Sequence, residues 1–271
     1  MRKIECVFGK KFDGQERQLE LFMKTSGGCY FRDEDGMYLL CDAKYGEIYF
    51  SVGCPDVQNL LQTIDLSVGK TYRYKECLLL GQVVLIATRN VRDCLPQEYR
   101  FRRDEAFRLL AERGRGALAD AFLGKKARDE TSAALYKVFE AICFAFEEGR
   151  KDAAAEIVSE SVGLGRGLTP DFDDFLIGLM YTFRESGMAE QWAPIFDAVA
   201  ASLHNTTQVS AEFLKCALLG RAFSPVTDIL RGGGADAAST LLNAGHSSGS
   251  SMMVGILSAD RFIGERNHAV L

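Results

Sequence analysis

The character of the sequence changes near residue 100, and this change sets the strongest limit on the fold. Seven of the nine tyrosines lie before that point, where aromatic and β-branched runs alternate with turn signals such as Asp13-Gly14. After it the chain is rich in alanine, with apolar residues at helical spacing and glycines where helices should end. The sequence therefore predicts two parts of different architecture.

The predicted fold class is α+β, with a small, mainly antiparallel β domain at residues 1–97 followed by a larger all-helical domain at residues 98–271. The strands expected in the first part are Ile4–Phe8, Gln18–Met23, Tyr38–Asp42, Glu47–Val52, Thr71–Cys77 and Gln82–Ala87. The helices expected in the second part include Glu98–Glu112, Asp129–Glu148, Pro170–Arg184, Gln208–Leu219 and Ser250–Ala259.

Composition narrows the classes of function. A net charge of −5 with 47% hydrophobic residues argues against disorder and against nucleic-acid binding by bulk positive charge. The longest uncharged apolar-rich run, near Leu78–Thr88, is about half of the ~20 residues that a membrane helix needs. The first ten residues contain no apolar segment typical of a secretory signal. We therefore expect a cytoplasmic protein, with free thiols and without a nucleic-acid or membrane partner.

The stretch Gly163–Tyr181, GLGRGLTPDFDDFLIGLMY, carries the clearest functional signal. Three glycines alternate before Thr169, which is predicted to cap a helix that begins at Pro170. A glycine-rich loop that enters a helix can bind an anion through its backbone N–H groups. The candidate residues of this loop are Gly165, Arg166, Gly167 and Thr169.

Three aspartates follow this loop. Asp171, Asp173 and Asp174 fall near the first turn of the predicted helix, where the positive end of the dipole favours anions. Because they would repel a bare phosphate, they indicate Mg²⁺, a cationic or amide group, or a buried pairing role. A well-capped helix packed on a neighbour would explain Thr169 and one aspartate. Gly178, four residues after Asp174, indicates a close approach by another group.

A second stretch, Asn243–Leu257 (NAGHSSGSSMMVGIL), has a similar pattern. Ser251 precedes Gly255 by four residues, as Asp174 precedes Gly178. Both stretches are loops that contain glycine and lead into a helix with a glycine one turn inside. We therefore hypothesise that the two helix starts face each other across one site.

The second stretch also contains G-x-S-x-G, the pattern around the nucleophilic serine of many hydrolases, centred on Ser247. That motif needs a strand before the serine, whereas the preceding AASTLLNA is typical of a helix. A serine nucleophile is therefore disfavoured. His246 could be a ligand contact or a proton donor, and equally a helix-capping residue.

A third stretch, HNTTQVSA, predicts a helix start capped by Thr206 or Thr207. Capping alone explains the threonines and is the favoured interpretation. Together with Ser210, they could also line the same site.

Three segments together resemble the AllH family, the small subunit associated with oxamate carbamoyltransferase. GLGRGLTPDFDDFLIGL is similar to the family pattern GxGxGLTPxxDDFLxGL. TTQVSAEFLKCALLGRAF and AGHSSGSSMMVGIL are similar to two later blocks of that family, in the same order and at similar separation. The resemblance is specific in the second half of the chain and loose in the first hundred residues.

The chain departs from the family pattern at two places. Asp171-Phe172 stands where the family has Ser-Gly, and Ser251 stands where a later block has Asp. If that Asp holds a metal or a substrate amide, the departure implies a change in substrate or weaker binding, for which Asp171 could compensate.

The resemblance implies that a carbamoyl group is transferred between oxamate and phosphate, so that oxalurate plus phosphate gives carbamoyl phosphate plus oxamate, in allantoin degradation. Asp173 and Asp174 would bind Mg²⁺ or the carbamoyl NH₂ group, and the glycine loop would stabilise negative charge. The implied catalytic residues are Asp173, Asp174 and His246. The implied substrate-binding residues are Gly165, Arg166, Gly167, Thr169, Thr206, Thr207, Ser210, Ser247, Ser248 and Ser251.

The resemblance also implies a transferase subunit whose ligand is a small anion such as carbamoyl phosphate or oxamate. Larger partner subunits or a homo-oligomer would complete it. A rival interpretation is a non-catalytic binding or scaffolding subunit that uses the same loops to hold partner proteins. Another is a carboxylase-like enzyme on a small carboxylate, which no biotin-attachment or ATP-binding motif supports.

Overall fold

The computed structural model describes residues 2–90 and 98–269. The chain divides into two compact units. The first comprises Met1–Leu95 with Arg221–Pro225, and the second comprises Pro96–Gly220 with Val226–Leu271. The domain boundary predicted between residues 97 and 98 adjoins residues outside the described ranges and stays a prediction.

The first unit is a closed barrel, to which the described residues contribute eight strands. The strands are β1 (Arg2–Phe8), β2 (Arg17–Lys24), β3 (Gly28–Asp33), β4 (Gly36–Asp42), β5 (Ser51–Cys54), β6 (Thr71–Lys75), β7 (Cys77–Leu80) and β8 (Val83–Asn90). Around the barrel they follow the order β1-β5-β4-β3-β2-β6-β7-β8. The β1–β8 and β4–β5 pairs are parallel, and the other neighbouring pairs are antiparallel.

Alternate side chains of these strands fill the barrel interior. Leu19 and Leu21 of β2 are completely buried, and the ring of Phe12 lies 5.2 Å from that of Phe8 and 5.0 Å from that of Tyr74. An eight-stranded barrel is just wide enough for its own side chains to fill it. The barrel is therefore a packed core.

The segment Arg221–Pro225 belongs to the barrel unit although it lies far along the chain. The backbone N–H of Tyr49 donates to the carbonyl oxygen of Ala222 at 2.9 Å, and that of Glu47 donates to the Ser224 hydroxyl at 2.6 Å. These bonds satisfy backbone donors between β4 and β5 that no strand of the barrel pairs.

The predicted fold class was wrong in its account of the β part. A mainly antiparallel domain followed by an all-helical domain describes neither the closed barrel nor its parallel closing pair, in which Arg2 lies opposite Val83. The barrel unit also contains a helix, α1 (Val57–Thr63), and takes Arg221–Pro225 from within the helical segment. Strand and turn signals describe only pairs of strands that are neighbours in the sequence. They could therefore not predict that β1 pairs with β8 to close the barrel.

Two strands were missed, and one expected strand is broken. β3 and β7 were not predicted, and Thr71–Cys77 splits at Glu76, whose φ is 58°. A left-handed backbone at a non-glycine residue ends the strand geometry and turns the chain. The strand expected at Glu47–Val52 lies further along the chain: β5 begins at Ser51 and ends at Cys54.

The second unit is helical. Its helices are α2 (Arg103–Arg113), α3 (Ala117–Phe122), α4 (Glu130–Glu147), α5 (Lys151–Ser161), α6 (Asp171–Glu185), α7 (Ala193–Ser202), α8 (Gln208–Leu218), α9 (Ser224–Leu230, which starts in the barrel unit), α10 (Gly234–Leu242) and α11 (Ser248–Ala269). Every residue of α6 from Asp171 to Phe183 is buried, as is typical of the central helix of a bundle. Among the described residues, no helix is both long and apolar enough to cross a membrane.

The helix predictions agree best where local caps fix the ends. The side chain of Asp129 accepts a hydrogen bond from the Ser132 N–H at 2.8 Å, and α4 lies within one residue of its predicted bounds at both ends. Other ends differ from the prediction. α2 begins at Arg103, five residues later than predicted, and α11 continues past the predicted end at Ala259.

Candidate functional site

The glycine loop that precedes α6 is packed against its own protein. Gly163, Gly165 and Gly167 all have positive φ values, of 89°, 131° and 88°. A Cβ on Gly163 would collide with the carbonyl oxygen of Asn205, and one on Gly165 would collide with the backbone nitrogen of Asp171. A Cβ on Gly167 would meet nothing within 4 Å. The backbone conformation therefore favours glycine at all three positions, close packing adds a second reason at Gly163 and Gly165, and Gly167 lies beside open space.

Asp173 links this loop to the start of α8. Its completely buried carboxylate accepts hydrogen bonds from the Gly163 N–H at 2.7 Å, from the Ser210 hydroxyl at 2.6 Å and from the Thr206 hydroxyl. Burial raises the pKa of Asp173, and the three hydrogen bonds oppose that rise. Because all three donors belong to this chain, the geometry gives Asp173 a structural role.

Thr207 provides the predicted cap of α8. Its hydroxyl oxygen accepts a hydrogen bond from the Ser210 N–H at 3.0 Å and donates one to the carbonyl oxygen of Leu168. Of the two threonines considered, Thr207 is therefore the cap, while Thr206 bonds to Asp173. Both hydroxyls fix the glycine loop to α8.

Asp174 occupies a different environment from Asp173. It is completely buried, and neither carboxylate oxygen has a hydrogen-bond partner among the described residues. The hydroxyls of Thr169 and Ser248 lie near it but bond to each other, at 2.9 Å. Burial raises the pKa of Asp174 well above its ordinary value, the charges of Asp173 and Asp171 add to the rise, and the two hydroxyls oppose it.

The predicted cap at Thr169 was wrong. Helix α6 begins at Asp171, its N-terminal flanking residue is Pro170, and no side chain caps it. The Thr169 hydroxyl instead joins the loop before α6 to Ser248, the first residue of α11. The Thr169 hydroxyl therefore bonds to a residue distant in the sequence and not to a backbone N–H of its own helix.

Helices α6 and α11 cross at their glycines. A Cβ on Gly178 would collide with the carbonyl oxygen of Met252, and one on Gly255 would collide with that of Phe175. Near the same crossing, the Ser251 hydroxyl donates to the Asp171 carboxylate at 3.4 Å. The two helix starts therefore face each other, as the repeated pattern suggested, and the close approach expected at Gly178 is that of the α11 backbone.

A polar cleft of about 210 Å³ opens beside this crossing. Its lining residues are Gly116, Ala117, Asp120, Arg128, Asp129, Thr131, Ser132, Leu135, Tyr136, Arg166, Asp171, His246 and Ser247. Three of the predicted site residues, Arg166, His246 and Ser247, lie in this polar cleft. A Cβ on Gly116 would come within 2.6 Å of the Ser247 Cβ, so a glycine is needed at that wall.

Both arginines of the polar cleft bond to carboxylates. Arg166 donates to Asp129 at 3.0 Å, and Arg128 lies 2.6 Å from Asp120, which also pairs with Lys125 at 3.0 Å. The side chains of Arg128 and Arg166 are 75% and 66% exposed. Asp120 is buried, whereas Asp129 is 41% exposed. An exposed pair such as Arg166–Asp129 contributes about 0–1 kcal/mol, so a ligand can replace Asp129 as the partner of Arg166 at small cost.

The remaining predicted residues are not among those that line the cleft. Asp173, Asp174, Ser210 and Ser251 are buried, while Thr169, Thr206, Thr207, Ser248 and Gly165 are half-buried and Gly167 is exposed. Within the described residues, no group of three or more His, Cys, Asp or Glu side chains is arranged to hold a metal ion. Mg²⁺ binding by Asp173 and Asp174 stays a prediction.

Sequence reasoning missed one wall of the polar cleft. This wall is formed by α3, α4 and their flanking loops, which supply Gly116, Asp120, Arg128 and Tyr136. These elements lie before the three segments that resemble the AllH family. The charged run KKARDE at the start of α4 could have indicated this wall.

The hydrolase motif around Ser247 is not supported by the fold. The helix α10, and not a strand, lies before Ser247, so the strand–turn–helix context of a hydrolase serine is missing there.

These features define a helical module in which two helix starts, a glycine loop and a polar cleft meet. Residues 161–259 of the chain match the family described as oxamate carbamoyltransferase subunit AllH. This match confirms the family resemblance over the segment that contains α6, α8 and the start of α11. Neither the curated proteins nor the solved structures contain a significant match.

Proposed function

We propose that this chain is a subunit of a carbamoyltransferase similar to oxamate carbamoyltransferase, and that the polar cleft binds its small substrate. The reaction converts oxalurate and phosphate to oxamate and carbamoyl phosphate. The family match supports the class of protein. It also covers the segment that supplies Arg166, His246 and Ser247 to the cleft.

The observation that carries the proposal is the mixed charge of the polar cleft. Arg128 and Arg166 present guanidinium donors, while Asp120, Asp129 and Asp171 present carboxylate acceptors. A simple anion would meet both attraction and repulsion there. Oxamate, oxalurate and carbamoyl phosphate each combine an anionic group with an NH₂ group, so they match both kinds of partner.

The chemistry gives His246 a role. In the proposed direction a phosphate oxygen attacks the carbamoyl carbon of oxalurate, the bond from that carbon to the oxamate nitrogen breaks, and this nitrogen gains a proton. His246 is an exposed residue of the cleft and can donate that proton, and Arg166 can neutralise the anionic end of the substrate. In this proposal Asp173 and Asp174 hold the framework rather than contact the substrate.

Calorimetric titration of the purified chain tests the proposal. Oxamate should bind more tightly than oxalate, which replaces the amide by a second carboxylate and so loses the NH₂ donors. Arg166→Ala should weaken oxamate binding, whereas Arg150→Ala, at an exposed position outside the polar cleft, should not. Equal binding of oxamate and oxalate, or no binding of either, would contradict a substrate site in this cleft.

A second candidate function is a non-catalytic binding or scaffolding subunit. The observation that favours it is the complete burial of Asp173 and Asp174, the carboxylates that the resemblance implied as catalytic. Such a subunit would bind partner chains but no substrate. Titration of the chain alone and after assembly with its partners separates the two functions, because a scaffold adds no substrate site in either state.

A further inference from the structure

Two cysteines lie side by side inside the barrel. Antiparallel strands β1 and β5 pair Val7 with Gly53 and Phe8 with Val52, so the same register places Cys6 opposite Cys54. Both side chains belong to the barrel core, where Cys6 is 2% and Cys54 is 1% exposed.

The register also fixes the type of pair. The Gly9 N–H donates to the carbonyl oxygen of Ser51, which makes these opposite residues a hydrogen-bonded position. Hydrogen-bonded and non-hydrogen-bonded positions alternate along an antiparallel pair, so Cys6 and Cys54 occupy a non-hydrogen-bonded one. The Cα atoms of such pairs are typically about 4.5 Å apart, inside the roughly 4.4–6.8 Å that a disulfide spans.

The two thiols influence each other. The Cys6 thiol donates a hydrogen bond to the carbonyl oxygen of Ile4 at 3.8 Å, and its neighbour Cys54 raises the pKa of Cys6, while Cys6 lowers the pKa of Cys54. The backbone N–H of Asp56 also donates to the Cys54 sulfur, which lowers the Cys54 pKa further. The pair therefore places a sulfur of lowered pKa, which ionises more readily, beside a second thiol that can form a disulfide with it.

We propose that Cys6 and Cys54 form a reversible disulfide across β1 and β5 when the protein meets hydrogen peroxide. The Cys54 thiolate attacks the peroxide, the O–O bond breaks, water leaves after protonation, and Cys54 becomes a sulfenic acid. The Cys6 sulfur then attacks the Cys54 sulfur, the S–S bond forms, and a second water leaves. Two thiols are oxidised to one disulfide, and one peroxide is reduced to two waters.

Two other cysteines of the barrel, Cys29 and Cys41, lack this combination. Cys29 is completely buried, and burial raises its pKa to about 11. Burial likewise raises the pKa of Cys41 to about 12. Both thiols therefore stay protonated near neutral pH, and Cys29 offers a matched control because it shares the barrel core with the pair.

Peptide mapping of the oxidised full-length chain tests the proposal. The reduced protein is treated with hydrogen peroxide, its remaining thiols are alkylated in denaturant, and it is digested with trypsin without reduction. We expect the eight thiols to fall to six and the peptides Ile4–Lys10 and Tyr45–Lys70 to appear as one linked species. Dithiothreitol should separate them and restore the two thiols.

Variants sharpen the result. Cys6→Ala and Cys54→Ala should each abolish the linked species, while Cys29→Ala should leave it unchanged. The proposal is overturned if the wild type keeps all eight thiols, links a different pair, or carries oxygen adducts on Cys54 without the link. Since the link is mapped in the wild type, a variant that does not fold leaves the test intact.

Discussion

The carboxylate of Asp173 accepts a hydrogen bond of 2.7 Å from the backbone N–H of Gly163, ten residues earlier in the chain. Together with the hydroxyls of Thr206 and Ser210, this bond fixes the glycine loop between α6 and α8. A side chain first considered as a catalytic acid therefore holds the loop in place.

Asp173→Ala should destabilise the protein. It leaves the buried Ser210 hydroxyl and two half-buried donors without their acceptor, and a buried unpaired donor costs about 1–3 kcal/mol, so we expect a loss of about 2 kcal/mol or more. Chemical denaturation of the full chain measures this loss. Asp152→Ala, at an exposed acid in the first turn of α5, is the matched control and should change stability little. If the Asp173→Ala variant is as stable as the wild type, the proposed role of Asp173 in fixing the glycine loop is contradicted.

The stability contribution of Asp174 should depend on pH. Its folded pKa is raised by burial, whereas an unfolded aspartate titrates near about 3.9. Between these two pKa values the folded state binds more protons, so the free energy of unfolding falls as pH rises. Asp174→Asn removes this dependence.

We therefore expect the stability of the Asp174→Asn variant, relative to wild type, to increase between about pH 5 and pH 8. Urea denaturation across that range measures the difference. A relative stability that stays constant or decreases with pH would contradict a buried, protonated Asp174. Asp173→Asn, which weakens the contacts of a hydrogen-bonded carboxylate, should instead destabilise the chain at both ends of the range.

The crossing of α6 and α11 should tolerate only glycine. Gly178→Ala and Gly255→Ala each place a Cβ against a carbonyl oxygen of the other helix, so we expect losses of about 1–3 kcal/mol or more. Gly264 lies further along α11, and a Cβ there meets nothing within 4 Å. Gly264→Ala should therefore be neutral or stabilise by about 0.5–1 kcal/mol. Thermal unfolding of the three variants compares them, and equal effects would refute the close crossing.

Arg166 should contribute to substrate affinity in the polar cleft. Hydrogen bonds to a charged group are worth about 1.5–3 kcal/mol, so Arg166→Ala should raise the dissociation constant of oxamate by about tenfold or more. Arg166→Lys should recover part of the affinity, because a lysine keeps the charge without the planar fork. Titration at increasing salt should weaken wild-type binding more than that of the Ala variant. An affinity unaffected by Arg166→Ala would place the substrate elsewhere.

Local signals predicted the helical unit better than the barrel. α4 was found almost as predicted, because Asp129 caps its start and Gly149, with a positive φ of 67°, follows its end. Barrel closure depends on the pairing of β1 with β8 across most of the unit, and no turn between neighbouring strands encodes that pairing.

The candidate site was predicted in part for the same reason. Arg166, His246 and Ser247 were chosen from glycine loops that do border the polar cleft. Thr169 was assigned to a local cap, but its partner is Ser248, 79 residues later in the chain. A hydroxyl that can cap a helix can equally bond across the fold, and only tertiary packing decides between the two.

The return of Arg221–Pro225 to the barrel has a consequence for biosynthesis. At about 5–20 residues per second, a ribosome needs several seconds or more after finishing β8 to deliver this segment. Until then the N–H groups of Glu47 and Tyr49 lack their native acceptors on Ser224 and Ala222. During synthesis these two N–H groups therefore stay without their native acceptors while the helices up to α8 are translated. The barrel can complete these hydrogen bonds only when about four-fifths of the chain has been made.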